Sequence, residues 1–111
     1  MLIPILNCST TANQAAGETA YLGMEFYVKG FRELVIESIK LNYYSAVTVT
    51  GTKEDGSNSV IINYSGWNGN KPYPAVTKDI SDYAKISLSL KAGSPMNGDR
   101  GQCTITNLQI K

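Results

Sequence analysis

The segment Tyr64-Ser65-Gly66-Trp67-Asn68-Gly69-Asn70-Lys71-Pro72-Tyr73 interleaves aromatic rings with amides, glycines and a lysine. Sugar rings present apolar C–H faces that stack on Trp or Tyr, while their hydroxyls pair with amide, carboxylate and guanidinium groups. The mixture is therefore the chemistry of carbohydrate recognition. Gly66 and Gly69 permit the tight turns that would present Trp67, and Pro72 and Pro74 stiffen Tyr73 between them. Trp67 and Tyr73 are candidate stacking platforms for a glycan ligand, with Asn68, Asn70 and Arg100 as candidate polar partners. The competing reading is that Trp67 anchors its loop against a sheet edge and Tyr73 packs beside it.

A second stretch, Gly93-Ser94-Pro95-Met96-Asn97-Gly98-Asp99-Arg100-Gly101, sets an acid, a base and an amide in a Gly-rich loop. It could hydrogen-bond a ligand, or hold calcium through Asp99 and carbonyl oxygens, but a solvated hairpin connection accounts for it better, and no cofactor or metal is expected. Tyr43 and Tyr44 are adjacent, so a strand there would turn one ring inward and one outward.

Catalytic chemistry is poorly provided for. The chain has no histidine, which removes Ser-His-Asp and Cys-His nucleophilic systems together with the commonest metal ligand. Two cysteines without histidine do not complete a tetrahedral zinc site unless carboxylates or a second chain contribute. No Gly-rich phosphate motif sits between a strand and a helix. A glycosidase needs only two carboxylates, but Glu54, Asp55, Asp79, Asp82 and Asp99 sit in turn sequences, where short acidic residues cap the backbone. The expectation is a non-catalytic domain.

The 111 residues suffice for one hydrophobic core, so residues 1–111 are expected to form one domain. Ten Lys and Arg against nine Asp and Glu give a net charge of +1, with the bases spread singly from Lys29 to Lys111. No footprint for nucleic acid or an anionic membrane results. The apolar run Leu2–Leu6 is broken by Pro4 and falls far short of the roughly 20 residues of a membrane-spanning helix. It also lacks the basic flank and cleavage site of a secretory signal, leaving a cytosolic chain, a mature one, or a domain of a longer protein. Asn7-Cys8-Ser9 and Asn63-Tyr64-Ser65 match the glycosylation sequon, which matters only in a eukaryotic secreted protein. Cys8 and Cys103 lie near opposite ends; neighbouring first and last strands would allow a disulfide, and two small buried thiols are the alternative.

These candidate groups need a scaffold, and the alternation supplies one. Ile86, Leu88 and Leu90 alternate with Lys85, Ser87, Ser89 and Lys91, the pattern of an antiparallel strand with one wet face. Met24, Phe26 and Val28 alternate up to Gly30. Val47 and Val49 alternate with Thr48 and Thr50, and Val60, Ile62 and Tyr64 resume after Lys53-Glu54-Asp55-Gly56-Ser57, whose Asp-Gly signals a hairpin. In Phe31–Leu41, Phe31, Leu34, Val35 and Ile39 fit one helical face, whereas Val35, Ile39, Leu41 and Tyr43 fit a strand interrupted by Glu37; the stiff Val and Ile favour the strand. Ser65–Pro74 reads as loop and Val76–Ile80 as a short edge strand. In the last strand Cys103 and Ile105 are out of phase with Leu108 and Ile110, so a bulge at Thr106 or Asn107 is expected. Ile3 and Ile5 would face one way and Leu2 and Leu6 the other, which calls for a central strand or for contact with another chain through this strand, hence a possible homo-oligomer.

With turn signals every 8 to 12 residues, these elements predict an all-β antiparallel sandwich of jelly-roll type with about seven to nine strands. Asp79-Ile80-Ser81-Asp82-Tyr83 leading into Ile86-Ser87-Leu88-Ser89-Leu90, then a Gly/Asn loop and Ile105-Thr106-Asn107-Leu108-Gln109-Ile110, resembles the closing half of jelly-roll domains of the carbohydrate-binding-module and galactose-binding type. Such modules also occur in bacteriophage tail and head-fibre proteins. The resemblance covers about the last 35 residues. It implies a lectin-like recognition module at an extracellular or virion surface, or else a structural, decoration or adhesin module of a phage or other surface assembly acting through protein contacts.

Overall fold

The computed structural model describes residues 1–10, 19–66, 71–93 and 100–111. Their nine strands are β1 (Leu2–Ser9), β2 (Thr19–Tyr27), β3 (Glu33–Asn42), β4 (Ser45–Thr52), β5 (Asn58–Gly66), β6 (Lys71–Tyr73), β7 (Val76–Asp79), β8 (Lys85–Gly93) and β9 (Gln102–Ile110). One sheet runs β1-β9-β3-β6 with β7 also on β3, and the other runs β2-β8-β4-β5. Every pairing is antiparallel. β6 and β7 continue one register line along β3, so they act as one broken strand. Counted that way, the first sheet takes strands one, eight, three and six and the second takes two, seven, four and five, the jelly-roll arrangement.

The second sheet follows its sequence pattern. Val47, Val49, Ile86, Leu88 and Leu90 are buried between the sheets while their Thr, Ser and Lys neighbours face out. Lys53–Ser57 closes the β4–β5 hairpin, with Gly56 at φ 90°, a conformation glycine adopts without steric cost. Val60 departs from the expected alternation. The β4–β5 register shifts at Val49/Thr50, which places Ile61 as an extra residue and leaves Val60 exposed.

The first sheet departs from period two along a whole row. The inward side chains are spaced by three at Ile3/Leu6 in β1, Ile105/Leu108 in β9, Ile36/Ile39 in β3 and Tyr73/Val76 across β6 and β7. The phase changes fall side by side at Pro4, Asn107, Glu37 and Ala75, and the ladders skip these positions. The irregularity expected at Thr106 or Asn107 thus lies at Asn107, whose φ is 50°. It differs from an ordinary bulge, which adds a residue to one strand only. Here each neighbour carries the same extra residue, so the register resumes unchanged. Pro4 has no N–H to offer the ladder, and Asn is among the few residues that accept a left-handed backbone.

Four expectations are corrected. β1 is an edge strand, with Ile3 and Leu6 turned inward and Leu2 and Ile5 outward, so it is not buried on both sides. Ser65–Pro74 is not all loop, because β5 extends through Gly66 and Lys71–Tyr73 pairs with β3. In β3 it is Leu34 and Ile36, not Val35, that join Ile39 and Leu41 in the core, because the strand changes phase at Glu37. Tyr43 and Tyr44 lie in no strand; they form the turn that carries the chain from β3 in one sheet to β4 in the other.

Candidate functional site

Two surfaces combine exposed rings or apolar side chains with distinctive backbone. The first is one end of the sandwich. The registers Ser9↔Gln102, Asn42↔Gln102, Leu41↔Lys71, Ser45↔Gly66 and Thr19↔Gly93 bring the ends of β1, β3, β5 and β8 and the starts of β2, β4, β6 and β9 to the same end. The turn Tyr43–Tyr44 sits there with φ 47° and 59°. Non-glycine residues pay for that conformation, and it persists only where the surroundings dictate it. The surroundings are glycine backbones. A Cβ on Gly93 would lie 2.7 Å from Tyr44 Cβ, and one on Gly101 would lie 2.3 Å from the Gly93 carbonyl oxygen and 2.9 Å from that of Tyr43. The Gly101 N–H donates to the Gly93 carbonyl at 2.8 Å, and Thr10 Oγ1 donates to the same carbonyl at 3.2 Å. Tyr44 is 47% exposed on this support.

The site residues expected from sequence divide unevenly. Trp67, Asn68 and Asn70 lie outside the described residues, as does Asp99; the flanking Gly66 and Lys71 are at the end just described. Arg100 is half-buried at this same end. Tyr73 packs face to face on Tyr64, with ring centroids 4.1 Å apart and 2° between planes. Its hydroxyl donates to the Ser65 carbonyl at 2.7 Å, and Lys71 Nζ lies 5.8 Å from its centroid. One face of this ring is thus taken by another ring, which links β5 of one sheet to β6 of the other.

The second surface is β1. Met1 and Ile110 exchange backbone hydrogen bonds, and the Thr10 N–H donates to the Gly101 carbonyl. Strand alternation on either side of the Pro4 break then points the N–H and C=O of Ile5, Asn7 and Ser9 away from β9, along an edge that no strand among the described residues covers. Leu2 and Ile5 are 56% and 66% exposed, and Met1 lies beside them at 53%. Burying such a side chain is worth roughly 1.5–3 kcal/mol, so leaving them in water is a substantial forfeit. The other edges carry guards: Glu25 on β2, paired with Lys85 at 3.4 Å; the register shift on β5; and prolines with Lys71, Lys78 and Asp79 on β6 and β7. β1 has no charged residue, and Pro4 guards only its first half. Sequence reasoning places Ile5 with Ile3 on one face of this strand; the break at Pro4 turns Ile3 inward and sets Ile5 outward with Leu2, a split that apolar residues on every side of Pro4 do not reveal.

Two of the carboxylates in turn sequences, Asp55 and Asp79, act as backbone caps. Asp55 Oδ1 accepts from Ser57 N–H at 2.9 Å and its hydroxyl at 2.6 Å, and Asp79 Oδ1 accepts from Ser81 N–H at 2.8 Å and its hydroxyl at 2.6 Å. These bonds, from the hydroxyl first, hold both carboxyls below the usual range. Asp79 also borders an open cleft of about 550 Å³ with Arg32, Glu33, Thr77 and Ser81, at the end opposite the Tyr43–Tyr44 turn. Among the described residues no cluster of three or more Cys, Asp or Glu could hold a metal, and no helix is long and apolar enough to cross a membrane. Cys8 and Cys103 face each other directly across the β1–β9 ladder as free, buried thiols. Burial, with the neighbouring Cys8, pushes the Cys103 thiol up to about 12.

No known family's sequence model matches the chain, and no curated protein matches it. A solved structure of the infectious bursal disease virus Gx strain is similar to it, with TM-score 0.47 and 15% identity over 99% of this chain. The similarity takes in 30% of that viral chain.

Proposed function

We propose that the chain is a non-catalytic structural module that acts through protein–protein contact, and that β1 is its contact edge. The observation that carries this reading is the uncharged, unguarded strand segment Ile5–Ser9, which leaves Ile5 66% exposed beside Leu2 and Met1. An added strand there would satisfy the outward N–H and C=O groups and cover the apolar side chains together. The resemblance of the closing strands to jelly-roll modules of phage fibres agrees with a place in a virion or other surface assembly. A photo-crosslinking amino acid at position 5, introduced in the cells or virions that make the protein, tests the reading. Discrete protein adducts at position 5 and none at exposed Asn63 are expected; equal labelling at both positions, or none at position 5, overturns it.

Carbohydrate recognition is the second reading, and the exposed Tyr44 on its glycine-held turn favours it, at the end where the segment bearing Trp67, Asn68 and Asn70 is anchored and Arg100 lies. A glycan array followed by titration of the fluorescence of Trp67 tests it. A saturable change with one glycan class is expected, and no change with any glycan at millimolar concentration counts against it.

A further inference from the structure

We infer that the occupant of the β1 edge is a second copy of this chain, paired antiparallel about a twofold axis at Asn7. The inference rests on the reading of β1 as a contact edge and names its partner.

Pairing along an edge requires backbone groups that point outward, and after the break at Pro4 these belong to Ile5, Asn7 and Ser9. An antiparallel copy can align all three at once in one register. Ile5 then lies opposite Ser9 of the second copy, Asn7 opposite its own equivalent, and Ser9 opposite Ile5 of the second copy. Shorter registers lose a pair, and longer ones run into Pro4, which lacks the N–H and breaks the phase.

Charge is compatible with the same partner. Self-pairing sets every side chain against its own kind or a near neighbour, so a charged strand would meet like charge; residues 2–9 carry none. Ile5 and Leu6 are flanked by no Lys or Glu that would favour a charged peptide instead. Thr104 Oγ1 donates to Asn7 Oδ1 at 3.2 Å, which holds the Asn7 side chain over β9 on the outer face and leaves the backbone edge clear. The product is one sheet continuous through both copies, with Ile5 of each set beside Ser9 of the other.

Five paired residues make a small interface, below the roughly 1,200 Å² of stable complexes, so association is expected between about 10 µM and 1 mM and rises with local concentration in an assembly. The experiment is sedimentation velocity over that range on the whole chain, with Ile5→Lys and with Asn7→Cys and Asn63→Cys under mild oxidation. The native thiols are buried and give the background. Expected results are a concentration-dependent dimer, at least tenfold weakening by I5K with an unchanged circular dichroism spectrum, and a covalent dimer from N7C but not N63C. A monomer throughout overturns the second-copy inference, while adducts from a probe at position 5 would still uphold β1 as a contact edge. A dimer that survives I5K, or that N63C captures as well as N7C, places the contact elsewhere.

Discussion

The rings of Tyr64 and Tyr73 stack 4.1 Å apart with 2° between their planes, and they join β5 of one sheet to β6 of the other. The pair closes the flank of the sandwich opposite β1 and β2. Changing Tyr73 to Ala is expected to cost about 2 kcal/mol in urea unfolding, less than a fully buried aromatic because the ring is half-exposed. A double-mutant cycle with Tyr64→Ala is expected to return a coupling of about 1 kcal/mol. Strictly additive losses would mean that the stack contributes nothing beyond area.

Asn107 occupies the centre of the shared phase break, with φ 50° and its amide donating to Glu37 Oε2. Asn107→Gly is expected to be nearly neutral, because it keeps the left-handed conformation at no steric cost, whereas Asn107→Ala is expected to lose about 1 to 2 kcal/mol. Thermal denaturation of the two variants separates conformation from hydrogen bonding. Equal losses would assign the effect to the Glu37 bond.

Gly101 meets the backbone of Gly93 so closely that an added Cβ forces main-chain movement. Gly101→Ala is expected to destabilise by more than 2 kcal/mol and to shift the amide resonances of Tyr43 and Tyr44, whose turn rests on the same backbone. Gly23, with open space around it, is the control and is expected to move Tm little when changed to Ala. Unchanged Tyr43 and Tyr44 resonances in G101A would mean that the turn keeps its conformation without the glycines.

The Cys103 thiol is raised by burial from its ordinary 9.0 to about 12, so the folded state holds a proton that the unfolded state has lost between those values. Its contribution to stability is therefore complete below pH 9 and declines as pH rises toward 12. At pH 8 both thiols are expected to resist a thiol reagent until denaturant unfolds the chain. Rapid labelling of native protein would contradict the burial.

The alternation of Val47 and Val49 and of Ile86, Leu88 and Leu90 was legible because apolar and polar residues contrast along those strands. The phase break was legible in β9, where Thr106 and Asn107 separate two apolar pairs, and as an interruption at Glu37 in β3. In β1 the same break is hidden, since Leu2, Ile3, Ile5 and Leu6 are all apolar. That four breaks align in one row is a property of strand pairing, which no single stretch of sequence contains. Ile5 was grouped with Ile3 rather than with Leu2 for the same reason. The left-handed turn at Tyr43 and Tyr44 carries no signal, because tyrosine does not announce positive φ as glycine would; its cause lies some 50 residues away in Gly93 and Gly101. Of the expected site, Tyr73 and Arg100 are placed, while Trp67, Asn68 and Asn70 lie outside the described residues.

The claim that β1 is the contact edge is tested most directly by hydrogen exchange at the amides of Ile5, Asn7 and Ser9, whose N–H groups point away from β9. The account predicts fast exchange in dilute protein and at least tenfold slowing in the concentrated or assembled state, with Leu6 and Cys8 already protected in both. Unchanged, fast exchange at all three amides in the assembled state would contradict it.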